Sequence, residues 1–163
     1  MDVKQFDPVV YRDAMSRYAG HVQIVTTMLD GVRRGVTITA ACSVSDSPAS
    51  VLACLNNGNP NNEIFFNSGV FALNALGFQH QELANAFAGR PPLDAEQRFA
   101  LASWQTLSTG APVLVDAIVG FDCRLTDMKV TATHTVLFGT VEAIHFGAQN
   151  PPLVYLDRSY HAL

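Results

Sequence analysis

The sequence predicts a mainly β protein, an antiparallel barrel with a few short helices. Apolar segments of strand length recur along the chain, and short turns rich in Gly, Asn and Pro separate most of them. Strands in hairpin order are typical of an antiparallel barrel rather than a parallel sheet. A chain of 163 residues with 48% hydrophobic residues can bury a core of its own, so residues 1–163 are interpreted as one domain.

The first predicted element is a helix, because Asp7 is a suitable N-cap and Pro8 a suitable first helical residue. Gly20 is expected to end this segment. The apolar residues expected to form its inward stripe are Val9, Val10, Ala14, Met15 and Tyr18. Three strands should follow, at residues 21–29, 35–45 and 50–55.

The middle of the chain is predicted to place helices on either side of one buried strand. These elements are a helix at 61–68, a strand at 70–76, a helix at 79–89 and one helical turn at 95–99. Asn74 is the one polar residue of the buried strand, and we interpret it as satisfying backbone groups at a strand end. Trp104 is interpreted as a core or interface residue.

The last third of the chain is predicted to consist mainly of strands, with a turn-rich segment at residues 106–111 and a loop at residues 147–152. The predicted strands lie at residues 112–114, 117–128, 133–146 and 153–156. Gly139 stands in the middle of the longest of these, which indicates a bulge or the close approach of another group.

Composition excludes several classes of partner. The formal net charge is -4, and the basic residues are scattered apart from the pair Arg33-Arg34, so nothing resembles a nucleic-acid surface. No signal-peptide core and no apolar run of about 20 residues is present, so we expect no membrane span and a cytoplasmic protein. With only 15% charged residues, the chain is expected to bury further surface in a homodimer.

The chemistry-bearing residues fit none of the common catalytic motifs. The sequence lacks GxGxxG, a Walker A loop, HExxH and G-x-S-x-G. The five histidines show no metal-ligand spacing, and Cys42, Cys54 and Cys123 are too dispersed for a zinc site, so we expect reduced thiols and no metal. An enzyme with this sequence would depend on a cofactor for its chemistry.

One stretch is unusual for a strand that only fills a core. Small and hydroxyl-bearing residues follow one another within residues 35–45, namely Thr37, Thr39, Ala40, Ala41, Cys42 and Ser43. Small side chains allow a flat ligand to lie close to the backbone, and a polar turn at residues 56–60 follows the next strand. An aromatic cofactor could lie on this strand with its phosphate tail at the turn. A tight strand pair packed under a helix explains the same residues equally well.

Five segments in order carry a resemblance that covers the chain from about Tyr11 to Leu163. They are RGVTITAACSVSDSPASVLACLNNG, FALNALGFQHQELANAFAG, APVLVDAIVGFDCRL, THTVLFGTVEAI and PLVYLDRSYHAL. Together they resemble the flavin reductase-like family, whose fold is the FMN-binding split barrel. The greatest similarity is to the reductase component of two-component 4-hydroxyphenylacetate hydroxylases.

The resemblance implies a homodimer that binds FMN or FAD, oxidises NADH or NADPH, and supplies reduced flavin to a partner monooxygenase. One alternative keeps the flavin bound and passes electrons to another acceptor, such as a cobalt corrinoid. A second alternative is a non-enzymatic module that binds flavin or haem on the same barrel.

The resemblance also implies roles for individual residues. Thr37, Thr39, Ala40 and Ala41 would line the isoalloxazine ring, and Cys42 and Ser43 would contact its polar edge and the ribityl chain. Asn56, Asn59 and Asn62 would hold the ribityl and phosphate end, His134 would lie near the nicotinamide, and Arg158 and Tyr160 would form the rim. No catalytic side chain is implied, because hydride passes directly between the rings. Many relatives carry Arg or Lys in the loop at residues 56–62, but this chain has none there, which predicts loose flavin binding.

Overall fold

The computed structural model describes residues 4–163, and most of its elements are short antiparallel strands. The strands are β1 (Gly20–His21), β2 (Gln23–Leu29), β3 (Val32–Ile38), β4 (Ala41–Asp46), β5 (Ala49–Asn56), β6 (Val70–Ala75), β7 (Trp104–Thr106), β8 (Pro112–Leu114), β9 (Val119–Val130), β10 (His134–Phe146), β11 (Leu153–Leu156) and β12 (Ser159–Ala162). The α-helices are α1 (Pro8–Ser16), α2 (Glu63–Ser68), α3 (Gln81–Phe87) and α4 (Ala95–Phe99). Single 3₁₀ turns at Pro60–Asn62 and Phe78–His80 precede α2 and α3.

Seven strands form the main sheet in the order β3-β2-β6-β9-β10-β5-β4. β3 and β4 are therefore its two edges, although only Thr39 and Ala40 separate them in the chain. The sheet must curl until its edges meet, and the backbone N–H of Cys54 donates to the carbonyl of Ala40 at this junction (2.9 Å). We call residues 39–42 the seam. The antiparallel split barrel is confirmed, but the prediction of one continuous strand over residues 35–45 is wrong, because the chain changes edge at the seam.

The barrel interior is filled by residues that alternate along the strands. Phe71 of β6 is fully buried and packs on Gly139 of β10. A Cβ atom at Gly139 would lie 2.5 Å from Phe71 Cζ, and the pairing of β10 with β9 shifts register at this glycine. Both predicted consequences of the mid-strand glycine, a bulge and a close approach, are therefore confirmed.

A second apolar cluster lies beneath α3 and α4. The rings of Phe87, Phe99 and Trp104 meet edge to face, with centroids 4.9–5.7 Å apart. Trp104 Nε1 donates to the carbonyl of Phe99 at 3.0 Å, so its polar atom is satisfied inside the cluster. Trp104 is thus partly buried and packs against the core cluster, in agreement with its interpretation as a core or interface residue. This packing also holds α3 against β3, next to the seam.

Three predictions about local structure are wrong. α1 ends at Ser16, and its apolar stripe faces outward, with Val9 and Val10 more than half exposed. The chain after residue 156 forms the additional strand β12, because Asp157 and Arg158 adopt φ of 50° and 60° in a tight hairpin turn. The structure also contains β7, which pairs with β8 and for which the sequence made no prediction. Within residues 4–163, no helix is long and apolar enough to cross a membrane.

Candidate functional site

The seam borders the largest of the cavities described here, and we call it the seam cavity. Its volume is about 750 Å³, within the range of small-molecule sites. Its lining includes Thr39, Ala40, Ala41 and Cys42 from the seam, Leu52 and Cys54 from β5, Arg12, Met15, Ser16 and Tyr18 from the α1 side, and Tyr155 and Arg158 from the C-terminal hairpin. Four of the predicted ring-contacting residues thus share one cavity with the predicted rim residue Arg158.

The other predicted ring-end residues line two neighbouring recesses. Ser43 lies in a recess of about 390 Å³ that shares Ala41 and Cys42 with the seam cavity. Thr37 and Tyr160 lie in another, of about 290 Å³, that shares Thr39 and Arg158 with it. The predicted residues therefore surround the seam rather than one depression.

Two of these side chains already have protein partners. The Thr37 hydroxyl donates to the carbonyl of Ala84 in α3 at 2.7 Å, and the Tyr160 hydroxyl donates to Asn85 Oδ1 at 3.0 Å. Burial raises the pKa of Tyr160, followed in effect by the neighbouring Tyr155. Both contacts tie α3 to the site, which gives Thr37 and Tyr160 a positioning function in addition to any contact with a ligand.

The C-terminal hairpin fixes α1 over the seam cavity. Arg158 forms an ion pair with Asp13 of α1, and the backbone N–H of Asp157 donates to the carbonyl of Ser16 at 2.7 Å. Both side chains of the ion pair are more than half exposed, so the pair adds little to stability. Its main effect is geometric, because it holds the helix next to the cavity.

The outward face of β5 leads from the seam cavity to the predicted phosphate end. Cys54 and Asn56 lie two residues apart and therefore on the same face of the strand, about 7 Å from each other. His134 of β10 pairs with Asn56, and its Nδ1 lies 2.9 Å from the Thr133 hydroxyl. His134, which was predicted to lie near the nicotinamide, and Asn56, which was predicted to hold the phosphate end, are therefore neighbours at the same end of β5 and β10.

The asparagine-rich turn is held by its own side chains. Asn56 Oδ1 accepts from the Gly58 N–H at 2.7 Å, and Asn59 Oδ1 accepts from the Asn61 N–H at 3.0 Å. Asn62 is buried, and its Nδ2 donates to the carbonyl of Asn56 at 3.1 Å. These bonds give the turn one defined shape without help from a ligand.

The structure adds a charged residue that reading the loop alone could not find. Arg34 of β3 donates from Nε and Nη2 to Asn62 Oδ1, at 3.3 and 3.0 Å. Its partial burial, and secondly the charge of Arg98, lower the pKa of Arg34. The loop itself carries no positive charge, but the fold brings one to it from a distant strand. The only signal in the sequence was that Arg33-Arg34 is the sole basic pair.

The three thiols differ in their surroundings. Cys42 is exposed, Cys54 is half-buried and Cys123 is buried, and all three are free. Burial, and then the neighbouring Cys42, raise the pKa of Cys54. Across residues 4–163, no group of three His, Cys, Asp or Glu residues could hold a metal ion.

Comparison with known proteins gives this site its family. A family model described as the flavin reductase like domain matches residues 15–163. The chain belongs to the flavin reductase-like family. The resemblance seen in the five sequence segments is thereby confirmed, and the seam cavity lies where that resemblance places the isoalloxazine ring.

Curated relatives of this flavin reductase-like chain match over nearly its whole length. The FMN reductase (NADH) RutF of Ancylobacter novellus is 44% identical over 153 residues, which are 94% of this chain and 83% of that protein. The protein of the same name from Escherichia coli O127:H6 is 44% identical over 157 residues, which are 96% of this chain and 94% of that protein.

Solved structures agree with the split barrel. A candidate flavin reductase from Haemophilus somnus 129PT superposes with a TM-score of 0.93 at 39% identity, covering 97% of this chain and 100% of that one. The flavin reductase PheA2 gives a TM-score of 0.87 at 29% identity, covering 97% and 99%. BorF, the flavin reductase component of a bacterial two-component tryptophan halogenase, gives 0.87 at 26% identity, covering 96% and 98%.

Proposed function

We propose that this protein is an NADH-dependent flavin reductase that reduces FMN at the seam cavity and releases the reduced flavin. The observation that carries the proposal is the match, over nearly the full chain, to relatives named as NADH-dependent FMN reductases. The seam cavity supports it, because small residues there leave room for a planar ring beside the backbone. FAD and NADPH are the alternative substrates that the experiment below compares.

The geometry of the seam suits a reaction that proceeds by ring contact. Flavin supplies the redox chemistry, and the protein supplies position, a flat surface and hydrogen-bond donors. β4 is the last strand of the main sheet, so its outer edge presents backbone N–H and C=O groups that no described strand pairs. Only alternate residues of an edge strand direct these groups outward, and the bond from the Cys54 N–H to the Ala40 carbonyl sets the alternation so that Ser43, and not Cys42, does so. The backbone groups of Ser43 are suited to bind the polar edge of the ring, where donors would favour the reduced form.

His134 is proposed to contact the nicotinamide. It is half-buried at the start of β10, and its ring is oriented by the Thr133 hydroxyl. We expect His134→Ala to raise the KM for NADH while the dissociation constant for FMN changes little. A variant that loses FMN affinity and keeps the KM for NADH would show that the histidine is structural instead.

Anaerobic titration tests the function directly. The protein is mixed with FMN or FAD, and NADH or NADPH is added while the flavin absorbance is followed. We expect stoichiometric bleaching of FMN by NADH at a rate far above that of the uncatalysed mixture. Flavin that binds but is not reduced by either nucleotide would contradict the proposal and favour a non-enzymatic flavin module.

We also propose that the protein acts as a homodimer and that a second enzyme uses its reduced flavin. The outward-facing residues of α1, with Phe6 and Tyr18 beside them, leave a strongly apolar surface on one subunit. Sedimentation equilibrium should give twice the 17.6 kDa chain mass, and a monomer at micromolar concentration would contradict this. BorF is the reductase of a two-component system, and we propose a flavin-dependent monooxygenase as the corresponding partner here.

A further inference from the structure

A second recess near the site is lined by arginines, and we call it the arginine recess. It has a volume of about 560 Å³ and lies between β3, the start of α2 and α4. Arg33, Arg34 and Arg98 line it, together with Leu29, Val32, Pro60, Asn61, Ile64, Asn67, Leu93, Asp94 and Ala95. The chain has only 10 basic residues, so three of them around one recess is a marked local concentration of charge.

The charge of Arg33 is already compensated. Its Nη2 lies 2.7 Å from Glu96 Oε2, and its guanidinium lies over the ring of Phe99 at 4.5 Å from the centroid. Asp94 is the other carboxylate of the lining, and it accepts from the Gln97 N–H as the cap of α4.

Arg34 and Arg98 have no such compensation. In the part of the chain that the structure describes, neither forms a salt bridge. Arg34 donates only to the neutral amide of Asn62, and Arg98 Nε is buried without a hydrogen-bond partner among residues 4–163. The two charges are close enough that Arg98 is a cause of the lowered pKa of Arg34. Partly buried, mutually repelling cations without a counter-charge are unfavourable until an anion binds.

The recess adjoins the flavin site through one side chain. Asn62 accepts from Arg34 with Oδ1 and donates from Nδ2 to the carbonyl of Asn56. Asn56 lies about 7 Å along β5 from Cys54, which lines the seam cavity. Moving along β5 from the seam residues 39–42, the order is therefore uncharged seam, asparagine turn and then guanidinium groups, whereas the arginines of the seam cavity itself, Arg12 and Arg158, lie on its α1 and hairpin sides.

We propose that Arg34 and Arg98 bind the phosphate group of the flavin, the group that FMN and FAD share and riboflavin lacks. The inference rests on the proposed function and adds what the site selects: a phosphorylated flavin. Guanidinium groups suit phosphate because their N–H groups match its oxygens in pairs. Asn62 is a positioning residue in this arrangement, since its amide aims the Arg34 guanidinium.

Equilibrium binding of FMN and riboflavin, followed by flavin fluorescence, tests the proposal. The wild-type protein should bind FMN at least about tenfold more tightly than riboflavin, and Arg34→Gln or Arg98→Gln should remove most of that preference, because charge-assisted bonds contribute this much. Riboflavin affinity should stay the same in both variants. Arg124→Gln is the matched control, and its preference for FMN should remain because Arg124 is paired with Glu142 and lines neither the seam cavity nor the arginine recess.

Competition with inorganic phosphate tests the same point on the unaltered chain. Phosphate should weaken the binding of FMN and leave that of riboflavin unchanged, whether or not either variant folds. Equal affinity for FMN and riboflavin, or an equal loss of preference in Arg124→Gln, would overturn the assignment.

Two further outcomes separate this inference from its alternatives. If neither flavin binds the wild-type protein, the proposed function itself fails. If FMN binding persists in both variants while the KM for NADH rises, the recess holds the phosphates of the nicotinamide nucleotide, and the assignment to flavin is wrong. FAD should also bind more tightly than riboflavin, because the phosphate on its ribityl chain is still negatively charged although it forms part of a diphosphate.

Discussion

Replacing Asn74 by Leu should destabilise the fold by about 3 kcal/mol, since three hydrogen bonds are lost at about 1 kcal/mol each. The side chain is fully buried in β6. Its Nδ2 donates to the carbonyl of Ile24 (3.0 Å) and to Thr26 Oγ1 (3.2 Å), and its Oδ1 accepts from the Leu114 N–H (2.8 Å). Asn74 thus connects β2, β6 and β8, which is more than the predicted strand-end role. Leu has similar volume, so no large cavity adds to the effect.

Urea unfolding measures this change directly. The midpoint should fall with an unchanged m-value, and the loss would be a large part of a typical unfolding free energy of about 5–15 kcal/mol. Asn67→Leu is the control, because Asn67 is exposed on α2 and its replacement should change stability by less than about 0.5 kcal/mol. A loss below about 1 kcal/mol for Asn74→Leu would refute the reasoning, since the three bonds would then be energetically redundant.

Four further outcomes are expected. Gly139→Ala places a methyl group 2.5 Å from a buried phenylalanine ring, and should cost about 1–3 kcal/mol, seen as a lower Tm; an unchanged Tm would refute the close approach. Burial raises the pKa of Cys123 to about 12, so the unfolded thiol ionises first, and stability should fall as the pH rises from about 8.5 towards 12. In the native protein Cys42 should react with a thiol reagent faster than Cys123, because Cys42 is exposed and Cys123 is buried. FMN should slow the reaction of Cys42, and equal rates for the two thiols would contradict the burial of Cys123. Thr37→Val combined with Thr39→Val should weaken FMN binding, and unchanged affinity would exclude both threonines from the site.

Local signals in the sequence were sufficient for most of the elements. Asp7 caps α1 as predicted, its side chain accepting from the Val9 N–H at 2.8 Å. The turn at residues 30–31 connects β2 and β3, with positive φ at Asp30 and Gly31. Each of these features depends on residues within one turn of each other, which is the range over which sequence patterns are informative.

The features that were missed depend on contacts between distant parts of the chain. The break at the seam arises because the sheet curls and its edges meet there, and no residue among 35–45 signals a change of edge. The apolar stripe of α1 has the periodicity of a buried helix, and one subunit alone does not show what covers it. Arg34 contacts Asn62 of the asparagine turn from 28 positions earlier in the chain, so the loop sequence alone could not reveal that the fold places a positive charge beside it.

The division of the site into a neutral seam and a cationic recess predicts how kinetic constants should separate. Hydride transfer depends on the distance and angle between two rings, which the seam sets, whereas a phosphate contact is the same before and during transfer. Loss of the Arg34 or Arg98 charge should therefore raise the KM for FMN and leave kcat at saturating FMN nearly unchanged. A fall in kcat at saturation would show that the phosphate contact also aligns the rings, so that the two halves of the site act as one.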